Sequence, residues 1–117
     1  MAISEPYSGS ITVSSVELSL VSGTSTLQSI TDDGVYQIFL DINAVANGDI
    51  FEVRVKEKIT SGGTQRVAFM FYISDAPGAD GAGWVSPSLI LLHGWDVTLV
   101  KIAGTDRSIP YSIRKVA

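Results

Sequence analysis

Apolar residues recur at every second position through most of this chain. From Gly9 to Thr31 a Ser/Thr-rich tract carries Ile11 and Val13, then, after a change of phase across Ser14-Ser15, Val16, Leu18 and Leu20. In "DDGVYQIFLDI" the even positions Tyr36, Ile38, Leu40 and Ile42 make one apolar face, and in "IFEVRVKEKI" Phe51, Val53 and Val55 alternate with Glu52, Arg54, Lys56 and Lys58. A period of two marks a strand with one buried side, because successive side chains of an extended backbone point to opposite faces. The phase change at Ser14-Ser15 predicts a bulge or a bend.

Turn chemistry separates the runs. Asp33-Gly34 opens one strand, "NAVANGD" predicts a single helical turn, and Asn47-Gly48 suits a positive φ. "TSGGTQ", between "IFEVRVKEKI" and "RVAFMFYIS", is the clearest hairpin signal in the chain. A Gly/Ala/Pro loop, "DAPGADGAG", precedes "WVSPSLILL", where Pro87 predicts an edge strand or bulge, since proline cannot donate to a ladder. "GWDVTLVKI" and "SIPYSIRKV" follow, the last with Ile109, Tyr111 and Ile113 inward and Pro110 marking an edge. Seven to eight short strands predict an all-β fold, a single-domain antiparallel β-sandwich of jelly-roll or Greek-key type. Residues 1–10, with Pro6, read as an N-terminal arm or edge strand, and 11–117 as the one domain.

One run departs from the one-wet-face pattern. In "RVAFMFYIS" Val67, Phe69, Phe71 and Ile73 read as a core stripe, yet the opposite face, Arg66, Ala68, Met70 and Tyr72, is also largely apolar. An antiparallel strand with water on one side has no need of a second apolar face. Tyr, Met and Arg are enriched in protein interfaces, so Arg66, Met70 and Tyr72 are candidates for a partner contact. Trp84 and Trp95 join them, as core material or as exposed rings; an exposed pair would suit a carbohydrate-binding or tail-fibre adhesin domain.

Composition narrows the function. Hydrophobic residues make up 45% of the 117 and charged residues 17%, against about 25% charged in an average domain, which predicts a Ser/Thr-covered surface or one partly hidden in an assembly. A net charge of −4 disfavours direct nucleic-acid binding. Residues 1–49 hold Glu5, Glu17, Asp32, Asp33, Asp41 and Asp49 and no Lys or Arg, whereas all eight basic residues lie from Arg54 onward; after folding, a mixed solvated surface is expected. The absence of cysteine removes disulfides and thiolate chemistry. The opening residues lack the pattern of a secretory signal, and the longest apolar run, Val67 to Ile73, falls far short of the roughly 20 residues of a membrane-spanning helix. A soluble protein without a membrane partner is expected.

Catalytic signatures are incomplete. "LLHGWD" resembles the start of a hydrolase oxyanion loop, but that chemistry requires a G-x-S-x-G elbow and a second histidine, and His93 stands alone. It reads as a structural residue beside a turn. Asp41-x-Asn43 lacks the spacing of a calcium loop, and the glycines of "GADGAG" do not lead a strand into a helix. No catalytic residue, metal site or cofactor is predicted, and a non-enzyme is expected.

The stretches "TDDGVYQIFLDINAVANGDIFEVRVKEKI", "SGGTQRVAF" and "WVSPSLILLHGWDVTLVKIAGTDRSIPYSIRKV" resemble small virion structural proteins of tailed bacteriophages, of the kind assigned as capsid decoration or cement proteins. The resemblance covers most of residues 31–116 and brings no catalytic signature. It implies a β-rich protein on the outer surface of a viral head, made in the host cytoplasm, that clamps major capsid protein subunits, often as a trimer at three-fold positions.

Overall fold

The computed structural model of the chain describes residues 2–116; Met1 and Ala117, the outer ends of the two predicted regions, lie outside them. Nine strands form among the described residues: β1 Ile3–Val13, β2 Leu18–Ser19, β3 Gly34–Asp41, β4 Ile50–Lys58, β5 Gln65–Ser74, β6 Gly83–Val85, β7 Leu89–Leu91, β8 Asp96–Ala103 and β9 Arg107–Val116. The first sheet runs β1-β9-β3, with β6 and β7 both on the far side of β3; the second runs β2-β8-β4-β5. All neighbours are antiparallel.

Taken together, β6 and β7 are one interrupted strand, and the remaining order is that of a jelly roll. β1 pairs with β9, β2 with β8, β3 with β6 and β7, and β4 with β5, as in a long hairpin rolled into two layers. The tip of that hairpin is the connection read from "TSGGTQ", where the Gly63 N–H donates to the Thr60 carbonyl at 3.0 Å. Between the layers Val13, Ile38, Phe51, Val53, Leu99 and Ile113 are fully buried, the inward sets that alternation marks out.

Rolling a hairpin sets the first half of the chain against the second, which is where the charge asymmetry goes. Glu17 meets Arg54 and Lys56, Asp32 meets Lys115, and Asp49 meets Arg107. Each pair joins an acidic residue from the first 49 to a basic residue beyond them, so much of the asymmetry is taken up inside the molecule.

Several local expectations are revised. The phase change at Ser14-Ser15 is the crossover from the first sheet to the second: the Ser14 carbonyl accepts from the Lys101 N–H at 2.7 Å, and Val16 is left exposed. Residues 43–48 form turns rather than a helical turn, with Gly48 at φ 91°. β1 runs from Ile3 to Val13 with a register shift between Ser4 and Tyr7, so residues 3–10 are part of an edge strand held by β9. Pro110 does not mark an edge, since β9 lies between β1 and β3; it is tolerated because the β3 ladder stops one residue earlier, at Leu40 and Tyr111. Pro87 does interrupt an edge. There the Ser86 hydroxyl accepts from the Ile38 N–H at 2.9 Å and donates to the Pro87 carbonyl at 2.8 Å, replacing the ladder bond a broken strand cannot supply.

Asp49 ties the β8–β9 turn to the start of β4. Its buried carboxylate accepts from Arg107 Nε at 2.7 Å, the Thr105 N–H at 3.0 Å and the Ala46 N–H at 2.9 Å. Gly104, at φ 92°, passes so close that an added Cβ would lie 2.7 Å from Asp49 Cα. The Arg107 guanidinium, with those two amides, holds the Asp49 carboxyl down to about 2. A carboxylate depressed by folding stabilises the fold above its unfolded value and loses that contribution as pH falls through the folded one. Stability, read as a urea midpoint, is expected to drop between about pH 4 and about pH 2. Asp49→Asn should flatten part of that slope, and an unchanged slope would remove Asp49 from it.

Candidate functional site

The chain brings its candidate chemistry to surfaces, and the aromatic and apolar residues there are sorted by register. β5 is an edge strand, paired with β4 alone. Val55 stands opposite Phe69, but Lys56 stands opposite Val67, so Ala68 is an extra residue in β5, a bulge. An extra residue reverses the faces beyond it. Val67 therefore leaves the expected core stripe and joins Met70 and Tyr72 on the outer face of the second sheet. Arg66, opposite Glu57, parts company with Met70 and Tyr72. Of the expected stripe only Ile73 is buried and Phe71 partly so, while Phe69 and Val67 are both 47% exposed.

The outer face beside Met70 and Tyr72 is not simply wet. Glu52 is buried and paired with Arg54; Glu17 accepts from Thr98 Oγ1 at 2.6 Å, Arg54 Nη1 at 3.2 Å and Lys56 Nζ at 3.1 Å. Burial raises the Glu17 carboxyl, but these donors outweigh it and leave the group below its ordinary value. Met70 and Tyr72 lie along the edge of this charged patch, 44% and 60% exposed.

The two tryptophans divide. Trp95 is 0% exposed: its Nε1–H donates to the Asp32 carbonyl at 2.9 Å, and its ring lies 4.6 Å from Tyr36 and 5.9 Å from Tyr7. It cannot present a partner contact or a sugar platform from this fold, which corrects its place among the interface candidates. Trp84, on β6, is half-buried and meets Phe71 edge-on at 5.2 Å across the open side of the sandwich. Phe71 in turn stacks on Phe69 at 4.5 Å. Alongside, a groove of about 310 Å³ is lined by Ala68, Phe69 and the residues of the β6–β7 interruption.

A second apolar surface is absent from the sequence-based candidates. The register aligns Ile3 with Val116, Val116 with Val35, and Val35 with Ile90, one row across β1, β9, β3 and β7. All four point away from the core and all are exposed, Ile90 by 81% and Ile3 by 67%. Val85, opposite Phe39, extends the surface. Beside the row, Arg114 sits 3.7 Å over the Phe39 ring and donates to Ser112 Oγ, whose hydroxyl donates to Glu5. The charges next to the apolar row are thus already partnered. The available signal was an apolar residue out of phase in each of several strands: Val35 beside the Tyr36 set, Ile90 between Leu89 and Leu91, and Val116 after Ile113.

His93 contributes through its backbone. Its N–H, with that of Leu92, donates to Glu57 Oε2, and its carbonyl accepts from the Lys58 N–H. Among the described residues no three His, Asp or Glu side chains gather as a metal-binding set. A depression of about 380 Å³ over Leu40, Gly83 and Tyr111 has only Asp41 and Arg114 as charged lining. The class of protein defined here is an antiparallel jelly roll with an exposed apolar surface on each layer. No family model, curated protein or solved structure matches the chain.

Proposed function

We propose that this chain is a non-enzymatic structural protein of a virion, which decorates a tailed-phage capsid by self-association and by docking on major capsid protein subunits at the outer surface of the head. The observation that supports the reading best is the pair of apolar surfaces on opposite layers of one small domain: the row from Ile3 to Ile90 on the first sheet and the β5 edge on the second. A clamp needs two docking surfaces, one for its own kind and one for the shell. Jelly rolls serve viral capsids and lectins alike, so the fold permits this use without selecting it. Contacts need not be strong singly. A standard interface buries about 800 Å² per partner, micromolar binding corresponds to about −8 kcal/mol, and repetition around a shell multiplies modest affinity into firm attachment.

The test is co-sedimentation of the purified chain with capsids assembled from the major capsid protein of the same genome. Binding is expected, and Val35→Asp with Ile90→Asp should weaken it by about tenfold or more, because a carboxylate forced into a dry contact costs above ~1.4 kcal/mol. No binding to capsids, or a genome without a capsid gene, overturns the capsid reading. Unchanged binding by the double variant removes the first-sheet row from it.

A further inference from the structure

The four free edges of the sandwich are unequal. An uncovered edge presents unpaired N–H and C=O groups, and folded proteins blunt such edges with proline, lysine, irregularity or shortness. β1 carries Pro6 within a register shift, the β6–β7 edge is interrupted at Pro87, and β2 is two residues long. β5 is ten residues long and contains neither proline nor lysine. Past its bulge at Ala68, the stretch Phe69 to Ser74 pairs regularly with β4 on one side. Among the described residues no other segment pairs with its far side.

We infer that β5 is a self-pairing edge: two copies of this chain join β5 to β5, antiparallel about a two-fold axis, into one continuous eight-stranded sheet. The unpaired main chain calls for an extended strand. The ends of β5 say which one, because Arg66 lies at one end and Asp75 just past the other, and antiparallel self-pairing brings each copy's cation beside the other's carboxylate. A two-fold axis normal to the sheet keeps outer faces together, so partners share parity. The register centred on Phe71 places Phe71 beside its twin on the inner side. On the outer side it sets Met70 against the second copy's Tyr72, a thioether–aromatic contact, and it does so twice. The exposed aromatic and thioether surface of β5 is covered by the same residues in reverse order.

This inference concerns self-association and stands apart from what the assembled protein binds. Sedimentation or light scattering of the full chain over a dilution series is expected to show a mass rising from 12.4 kDa to twice that value. Met70→Lys with Tyr72→Lys, two exposed positions where lysine is an edge-blocking residue, should hold the chain at one mass while leaving its circular dichroism and urea midpoint in place. The register has its own readout, since the chain has no cysteine. An equimolar mixture of Met70→Cys and Tyr72→Cys chains should cross-link several-fold faster than either alone. A wild type that stays monomeric at millimolar concentration, a lysine variant that still doubles, or equal cross-linking in all three samples overturns the pairing. A three-chain mass also overturns it, in favour of the trimer implied by the decoration-protein resemblance. Loss of capsid binding with pairing intact overturns only the proposed function.

Discussion

Trp95→Ala is expected to remove a large part of the stability of this domain. The side chain is fully buried between Tyr36 and Tyr7, and its indole N–H is the donor that anchors the Asp32 carbonyl ahead of β3. Removing a buried aromatic of this size costs about 3–5 kcal/mol, while a whole domain is held by about 5–15 kcal/mol. The loss reaches beyond the cavity. Tyr36 donates to the Asp32 carbonyl and carboxylate at 2.9 and 2.8 Å, and Lys115 reaches the same carboxylate at 3.0 Å, so the tryptophan supports the segment on which those bonds converge. Thermal unfolding should fall by roughly 15 °C or more. Trp95→Phe, which keeps much of the ring volume but not the N–H, should lose about 1–2 kcal/mol. A loss below about 1 kcal/mol for the alanine variant would mean that Trp95 is not the centre of the core.

The fate of Trp95 shows where sequence reasoning stops. Alternation identified the inward faces of β3, β4 and β9 because burial repeats with the pleat, and the Gly62-Gly63 turn marked the hairpin because its chemistry is local. Whether a tryptophan in a connection faces inward depends on what the rest of the chain lays over it, here Tyr7 from β1 and Tyr36 from β3, and no local pattern records that. The same applies at Ala68. One extra residue moves Val67 to the outer face and sends Arg66 the other way, a change set by how β5 registers on β4. The row of Ile3, Val35, Ile90 and Val116 is the extreme case, since its members lie in four strands far apart in sequence and become neighbours only through the strand order.

The charges make the same point in reverse. An acidic first half and a basic second half look like material for contacts between copies, yet the jelly roll folds one half onto the other and pairs Glu17, Asp32 and Asp49 with cations from Arg54 onward. The exposed apolar surfaces that remain include the first-sheet row and the β5 edge. A chain that uses many of its charges to hold its own layers together leaves valine, isoleucine, methionine and aromatic side chains outside, the kind of surface that a dry contact would bury.

Asp96→Ala is expected to cost about 3 kcal/mol, because three donors, two of them on buried residues, lose one acceptor group. The Asp96 carboxylate is fully buried and accepts from Ser19 Oγ at 2.7 Å, the Gln28 N–H at 2.8 Å and the Val97 N–H at 2.8 Å, tying the chain on both sides of the β2 turn to β8. Asp96→Asn keeps the oxygen used by Ser19 and Val97 and sets an amide against Gln28, so its loss should be smaller, about 1–2 kcal/mol. The pH dependence separates this aspartate from Asp49. Burial pushes the Asp96 carboxyl up, against the pull of its hydrogen bonds. A carboxyl raised by folding stabilises most below its unfolded value and loses that contribution as pH rises through the folded one. The deficit of Asp96→Asn should therefore be greatest in acid and shrink above about pH 4 as the wild-type group ionises, whereas that of Asp49→Asn should grow over the acid range as pH rises. Urea midpoints of both variants across the acid range read the two signs directly, and parallel curves would mean that the two buried carboxylates do not differ in environment as their partners dictate.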